Sequence, residues 1–291
     1  MLPSALAPAT ISSYKRAWAR FLQFADKFSL SVHLPLSVQH LSCFMMSLVN
    51  EGCSAASIAS VLSALSYFHK LQGCYDPTHA FFIRQLVTAI HKSSPSVDSR
   101  QPITEPLLFR MFDQVTRLGL TVYETVMFQA LFLFAFYFGL RVGEYTASRH
   151  NIQRHQVHIS NNEIKLTFMS FKHSAEAPET HSFPASFSHH CPVKAMLAFL
   201  GYRGKSSGPL FTLGGKALSN RKFSAILKRV FCSLGLDSDI FKAHSFRIGA
   251  ASYWAKQGFS EVQIKRMGRW NSDALNKYIR GEIRHNLSSL S

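Results

Sequence analysis

Acidic residues are scarce in this chain: 16 Asp and Glu stand against 32 Lys and Arg, leaving a formal charge of +16. So lopsided a folded chain points to a polyanionic partner, and nucleic acid is the commonest. The basic residues are spread along the whole sequence rather than gathered beside one apolar helix, which argues against an anionic membrane surface. Cysteine is also sparse. Cys43, Cys53, Cys74, Cys191 and Cys232 are odd in number, lie far apart and share no CxxC or Cys/His zinc spacing. They imply buried free thiols in a reducing compartment, with no disulfide framework. His189, His190 and Cys191 stand together, but no second ligand pair follows at zinc-finger spacing, so no metal and no cofactor are expected.

Long hydrophobic runs are missing. The most apolar stretch, 126–140, is shorter than the roughly 20 residues a membrane span needs and runs straight into Arg141. A buried core helix is expected there, and no membrane partner. The opening residues lack the apolar core of a signal peptide. There is no phosphate-binding glycine loop, no cluster of metal-binding carboxylates, no internal repeat and no low-complexity tract. If the host is eukaryotic and the polyanionic partner is DNA, the expected compartment is the nucleus.

What is present is a chain of 291 residues, 47% hydrophobic and only 16% charged, with 25 Phe. That composition suits packed aromatic cores in two domains. Residues 1–92 read as four helices. Ile11, Tyr14, Trp18, Phe21 and Phe24 recur every three or four positions behind Thr10 as N-cap. Val38, Leu41, Phe44, Met45 and Leu48 make a second helix, closed by Gly52. Ser54 caps a third through Phe68, and a fourth starts at Asp76-Pro77 and runs to Ile90. The polar, proline-bounded stretch 93–102 has no apolar period and is expected to be a linker. Beyond it, Thr104 caps a helix carrying Leu108, Met111, Phe112 and Val115. Alternation either side of Asn161-Asn162 predicts a β-hairpin, with a third short strand near His181–Phe183. Helices are expected from Pro192 to the end. The fold class is therefore mainly α with a small antiparallel sheet.

Four segments of 103–291 carry chemistry. Arg141 and Glu144 emerge at the end of the apolar helix, where a local ion pair is the plain alternative. Lys172 stands at the tip of the hairpin, where an exposed lysine is ordinary. His244 and Arg247 lie one turn apart at a helix start, followed by small residues that admit a close neighbouring helix. Gly268 is expected to end a short helix, and Asn271 or Ser272 to cap the next, which carries Tyr278 between Lys277 and Arg280.

In the order Arg, Lys, His-x-x-Arg, Trp, Tyr, this set resembles the tyrosine recombinase (phage integrase) family. The resemblance extends to the helical first domain, similar to the family's SAM-like core-binding domain, and to the linker. It assigns 103–291 to the catalytic domain. It matches Arg141 and Glu144 to the first arginine and its acidic companion, Lys172 to the hairpin lysine, His244 and Arg247 to the His-x-x-Arg pair, and Trp270 to the His/Trp position. Tyr278 becomes the nucleophile. The interval from Trp270 to Tyr278 is one residue shorter than the family's, which leaves Arg269 as an alternative occupant of the His/Trp position. The Met-Gly-Arg-Trp form looks similar to recombinases of eukaryotic mobile elements.

The resemblance implies cleavage and rejoining of double-stranded DNA through a 3′-phosphotyrosyl bond, for recombination or integration. The residue types suit that reaction. Two guanidiniums offer planar forks of donors to a phosphate, and such donors contribute on the order of 3–4 kcal/mol each where charge develops. Lys172 would protonate the leaving 5′ oxygen, and His244 would assist the tyrosine or the phosphate. A phenol with an ordinary pKa of about 10 needs such a cationic pocket to become a nucleophile. Lys15, Arg16 and Arg20 on the first helix, and Arg221, Lys222, Lys228 and Arg229 on a later one, are candidate phosphate contacts or solvated faces. The stripe Ile279, Ile283, Leu287 and Leu290 suits docking on a neighbouring subunit in a homo-oligomer, a tetramer on paired sites, or packing on its own domain. Relaxation of the type IB topoisomerase kind, and DNA binding without catalysis, are the alternative functions.

Overall fold

Short polar side chains and glycines set the ends of most helices. The computed structural model describes residues 6–93, 100–169 and 178–270. The chain divides into two units, Met1–Asp98 and Ser99–Ser291.

In the first unit, α1 spans Pro8–Lys27 and is preceded by Ala7 rather than capped by Thr10. Proline at the first helical position has its φ already set and lacks only a donor that would find no partner, so the helix starts three residues early. In α2, Val38–Asn50, Ser37 accepts from the His40 N–H at 3.0 Å. Gly52, at φ +76°, follows the helix end. Ser54 caps α3, Ala55–Leu71, by accepting from the Ser57 N–H. Asp76-Pro77 opens only a 3-10 turn, Pro77–His79, and α4 begins later, at Phe81, and runs to Ser93. The Asp76 carboxylate explains the delay. It accepts from the Thr78 N–H and hydroxyl and from Ser66 on α3, fixing a local turn that competes with the helix. The core is aromatic at its centre: Phe21 and Phe24 each lie 5.2 Å from Phe44, ring to ring. A fully buried polar group there is His69, which accepts from the Leu36 N–H at Nε2 (3.0 Å) and so donates from Nδ1 to the Leu65 carbonyl (2.7 Å).

The second unit surrounds α6, Val122–Tyr137. This helix starts earlier than the apolar run because Thr121 and Glu124 form a capping box. From Ala130 to Leu140 every residue is buried. Around it pack α5, Glu105–Val115, α8, Pro192–Arg203, and α10, His244–Lys256. The one-turn α7 spans Val142–Tyr145. Strands β1, Val157–Ile159, β2, Glu163–Phe168, and β3, Glu179–Pro184, form an antiparallel sheet in that order, with Ile159 opposite Ile164 and Phe168 opposite Glu179. A two-stranded hairpin, β4 (Thr212–Leu213) and β5 (Lys216–Ala217), interrupts the helices expected after Pro192. Gly214 and Gly215, both at positive φ, supply its turn. Helices α9, Asn220–Ser233, and α11, Glu261–Gly268, complete the described elements.

The small residues of α10 admit close neighbours: the helix packs on α6 and α11, and at Gly249 a backbone segment comes closer still. A Cβ on Gly249 would fall 1.9 Å from the Ile103 carbonyl oxygen. The segment 101–103 runs beside the start of α10 and donates to the Ile240 and Ser245 carbonyls. The thiols are not all buried: Cys43 and Cys232 are exposed, and only Cys191 is fully enclosed. Among the described residues no helix is long and apolar enough to cross a membrane.

Candidate active site

Two helix ends with the same geometry build the site. At the end of α6, the Gly139 N–H donates to the Phe136 carbonyl and the Leu140 N–H to the Ala135 carbonyl. This is a Schellman closure, with Gly139 at φ +53°. At the end of α11, Arg269 and Trp270 repeat the pattern, donating to Arg266 and Lys265. Gly268 ends α11 as expected, and the left-handed residue after it is Arg269, at φ +54°. Gly268 is needed for another reason. A Cβ there would fall 1.7 Å from the Trp270 ring, which folds back over the turn.

The carbonyls of these two turns collect the arginines. Arg247 donates from Nη1 to the Gly139 carbonyl at 2.6 Å and from Nη2 to the Gly268 carbonyl. Arg141, just beyond the first turn, donates from Nη2 to the Arg269 carbonyl at 2.8 Å. Two guanidiniums from separate stretches thus meet on consecutive peptide groups. Arg247 is 1% exposed, and its guanidinium carbon lies over the Trp270 ring, 4.2 Å from the centroid. The Arg141 side chain keeps 27% of its exposure.

Glu144 anchors the arrangement. It accepts from the Arg141 N–H at 2.8 Å and guanidinium at 3.2 Å, and its Oε2 also meets Arg269 at 2.8 Å. Burial pushes the Glu144 carboxyl up, but the Arg269 and Arg141 guanidiniums and the Arg141 N–H outweigh it and hold it below the usual carboxylate range. Burial likewise pulls Arg269 down, and Glu144 opposes that shift. Arg269 also stacks on Phe168, 3.8 Å from the ring centroid, at the end of β2. Beside it Glu179 on β3 pairs with Arg266 of α11 at 3.2 Å. The sheet is thereby tied to the same turn that receives Arg141 and Arg247.

Of the residues singled out in the sequence, Arg141, Glu144, Arg247 and Trp270 are brought together. His244 opens α10 one turn before Arg247, half-buried. Lys172 and Tyr278 lie outside the described residues, as do Lys277, Arg280, the caps Asn271 and Ser272, and the stripe from Ile279 to Leu290. Between the two candidates for the His/Trp position, the geometry divides the work: Arg269 is the buried partner of Glu144, and Trp270 covers Arg247. The sequence flagged Arg269 only as a rival for that position. Its pairing with Glu144, across more than a hundred residues, had no local signal.

The candidate phosphate contacts differ among themselves. Lys15 and Arg16 are exposed and border a shallow hollow of about 520 Å³ along α1 with Pro8, Ile11, Ser12 and Ala19. Arg20 instead pairs with Glu51 at 2.5 Å. Arg221 and Lys228 project from α9 into solvent, whereas Lys222 pairs with Glu124 at 3.0 Å and Arg229 donates to the Leu118 carbonyl at 2.5 Å.

Comparison with known proteins agrees with this architecture. Residues 1–72 match the phage integrase N-terminal SAM-like domain family. An integrase/recombinase XerD homolog from Selenomonas ruminantium is 22% identical over 302 aligned positions, covering 96% of this chain and 83% of the relative. The fold is shared with XerH site-specific recombinase bound to a palindromic difH substrate (TM-score 0.69, 14% identity, 96% and 77% of the two chains). It is shared too with the Tn1549 transposon integrase in complex with a circular intermediate DNA (TM-score 0.68, 11% identity, 98% and 95%). A lambda integrase dimer bound to a core site aligns with TM-score 0.63, 15% identity and coverage of 94% and 72%. These comparisons lend no support to the expected origin in a eukaryotic mobile element. The first 72 residues thus match the phage integrase SAM-like domain, and the chain shares its fold over nearly its whole length with these recombinases and integrases of known structure.

Proposed function

We propose that this protein cuts and rejoins double-stranded DNA through a covalent bond between Tyr278 and a 3′ phosphate. The observation that carries the reading is the convergence of Arg141 and Arg247 on the Gly268 and Arg269 carbonyls, a few residues before Tyr278 in the chain. Among the described residues Arg141 and Arg269 pair with Glu144, and Arg247 stands beside them on the Gly139 and Gly268 carbonyls, a gathering of positive charge that suits a phosphodiester. Arg141 and Arg247 bind the non-bridging oxygens, His244 assists the phenol or holds the phosphate, and Lys172 protonates the leaving 5′ oxygen. Trp270 encloses Arg247, and Glu144 holds Arg141. The phenol oxygen bonds to phosphorus as the 5′ oxygen leaves. Attack by a 5′ hydroxyl reverses the step, so the phosphoryl bond is conserved through the cycle.

Lys15, Arg16, Arg221 and Lys228 are the exposed cations best placed to neutralise DNA phosphates, and binding should weaken steeply with salt. A tetramer on paired sites is the proposed working form, with residues after Tyr278 docking on a neighbour. Deletion beyond Arg284 should abolish assembly on DNA, and unchanged assembly would refute that part. Paired sites and synapsis also separate recombination from simple relaxation.

The test is trapping on nicked duplexes with randomised arms. Wild type should form an adduct that survives denaturation and is destroyed by protease, and Tyr278→Phe should form none. An adduct that persists in Tyr278→Phe, or its absence from wild type while DNA is bound, overturns the proposal.

A further inference from the structure

Two histidines that strand transfer does not use stand at the turn leading into α8. His190 Nε2 lies 3.0 Å from Asp113 Oδ1 on α5, and His189 Nε2 lies 3.9 Å from the same oxygen. One ligand atom from each of the three residues falls within 4.8 Å of the other two. Donors held about 2.0–2.1 Å from a tetrahedral zinc stand roughly 3.4 Å apart, between those two separations. Closing the longer one asks for a shift of about half an ångström in a side chain that is 78% exposed.

The rings are already oriented. His190 stacks on Phe109 of α5 with centroids 4.2 Å apart and planes 7° from parallel. Both imidazoles stand edge-on to Phe112, at 5.4 and 5.2 Å. A simple surface ion pair would need one histidine. Here successive residues turn the same ring nitrogen toward one carboxylate oxygen.

We propose that Asp113, His189 and His190 form a binding site for a divalent transition ion of the zinc class, with water completing the coordination. Two imidazoles and one carboxylate suit zinc, cobalt or nickel, whereas magnesium and calcium take oxygen ligands. The sequence seemed to exclude a metal because His189-His190-Cys191 had no second ligand pair. Cys191 indeed turns inward, its sulfur accepting from the Ser186 N–H at 3.3 Å. The missing ligand comes from α5. A bound ion would pin α5 to the turn before α8, two helices that both pack on α6.

The untagged full chain, stripped with chelator, is titrated with zinc by calorimetry and with cobalt by absorption. One site tighter than about 10 µM is expected, with tetrahedral cobalt bands, and zinc but not magnesium should raise the melting temperature. Asp113→Ala and His189→Ala should each weaken binding at least about tenfold and remove the thermal shift. Both side chains are more than half exposed, so the variants should keep the wild-type circular dichroism. Should either lose it, Asp113→Asn and His189→Gln carry the same comparison. Absence of saturable zinc binding, a cobalt spectrum with thiolate charge-transfer bands, or binding unchanged in both variants overturns the site. DNA cleavage is not the readout, so this outcome is independent of the proposed strand transfer.

Discussion

The two units bury polarity in opposite ways. In the first, the enclosed polar ring is His69, neutral and satisfied by two backbone groups of its own unit, while ionic residues such as Arg20 and Glu51 stay at the surface. In the second, Arg247, Arg269 and Glu144 are all at most 3% exposed. Burying charge costs several kcal/mol per ion unless partners are nearly ideal. A unit meant only to fold would fill that space with apolar side chains at lower cost. The difference teaches that the second unit is built around a cationic centre, and the first around its helices.

Removing one charge should expose the contrast most strongly. Arg269→Ala leaves Glu144 enclosed with Arg141 as its remaining cation, and should destabilise the second unit by about 3–5 kcal/mol. Hydrogen exchange on α10 amides measures it, and amides of α1–α3 should hardly change. If the loss is below about 1 kcal/mol, the buried pair is not the keystone described here. His69→Ala in the first unit should cost less, about 1–3 kcal/mol, because an orphaned Leu36 N–H is a neutral group. A loss equal to that of Arg269→Ala would erase the distinction between the units.

Acid offers a subtler probe. Glu144 titrates lower in the folded chain than in the unfolded one, where a glutamate has a pKa of about 4.3. Its contribution is therefore complete above that value and is lost as pH falls through the depressed folded one. Glu144→Gln should be less stable at neutral pH and should lack this acid limb, as urea melts between about pH 2 and 6 would show. Parallel acid profiles for wild type and variant would remove Glu144 as the linked group. The smallest effect belongs to Arg20→Ala, whose partner Glu51 lies exposed at the surface. Its melting midpoint should match wild type, and a clear drop would mean that surface pairs do hold the first unit together.

Much of this was legible from local pattern. Ser54 caps α3 as its place before the apolar period suggested, its short hydroxyl reaching the third N–H after it. Strand β2 shows its period of two directly, with Ile164, Leu166 and Phe168 buried. The misses came where one local rule met a competitor. Pro8 overrode Thr10 as the start of α1, and the Asp76 side chain delayed α4.

The sequence by itself determined that the chain is basic, mainly helical, divided near residues 93–102, and furnished with an ordered set of Arg, Lys, His, Trp and Tyr. Those properties depend on composition and on spacing within a few turns. Only the tertiary structure decided that Arg247 would spend two donors on the Gly139 and Gly268 carbonyls, that Arg269 would reach back to Glu144, and that Asp113 would meet His189 and His190. Each joins residues far apart in the chain, and such pairings are set by how the helices pack around α6, which no local pattern encodes.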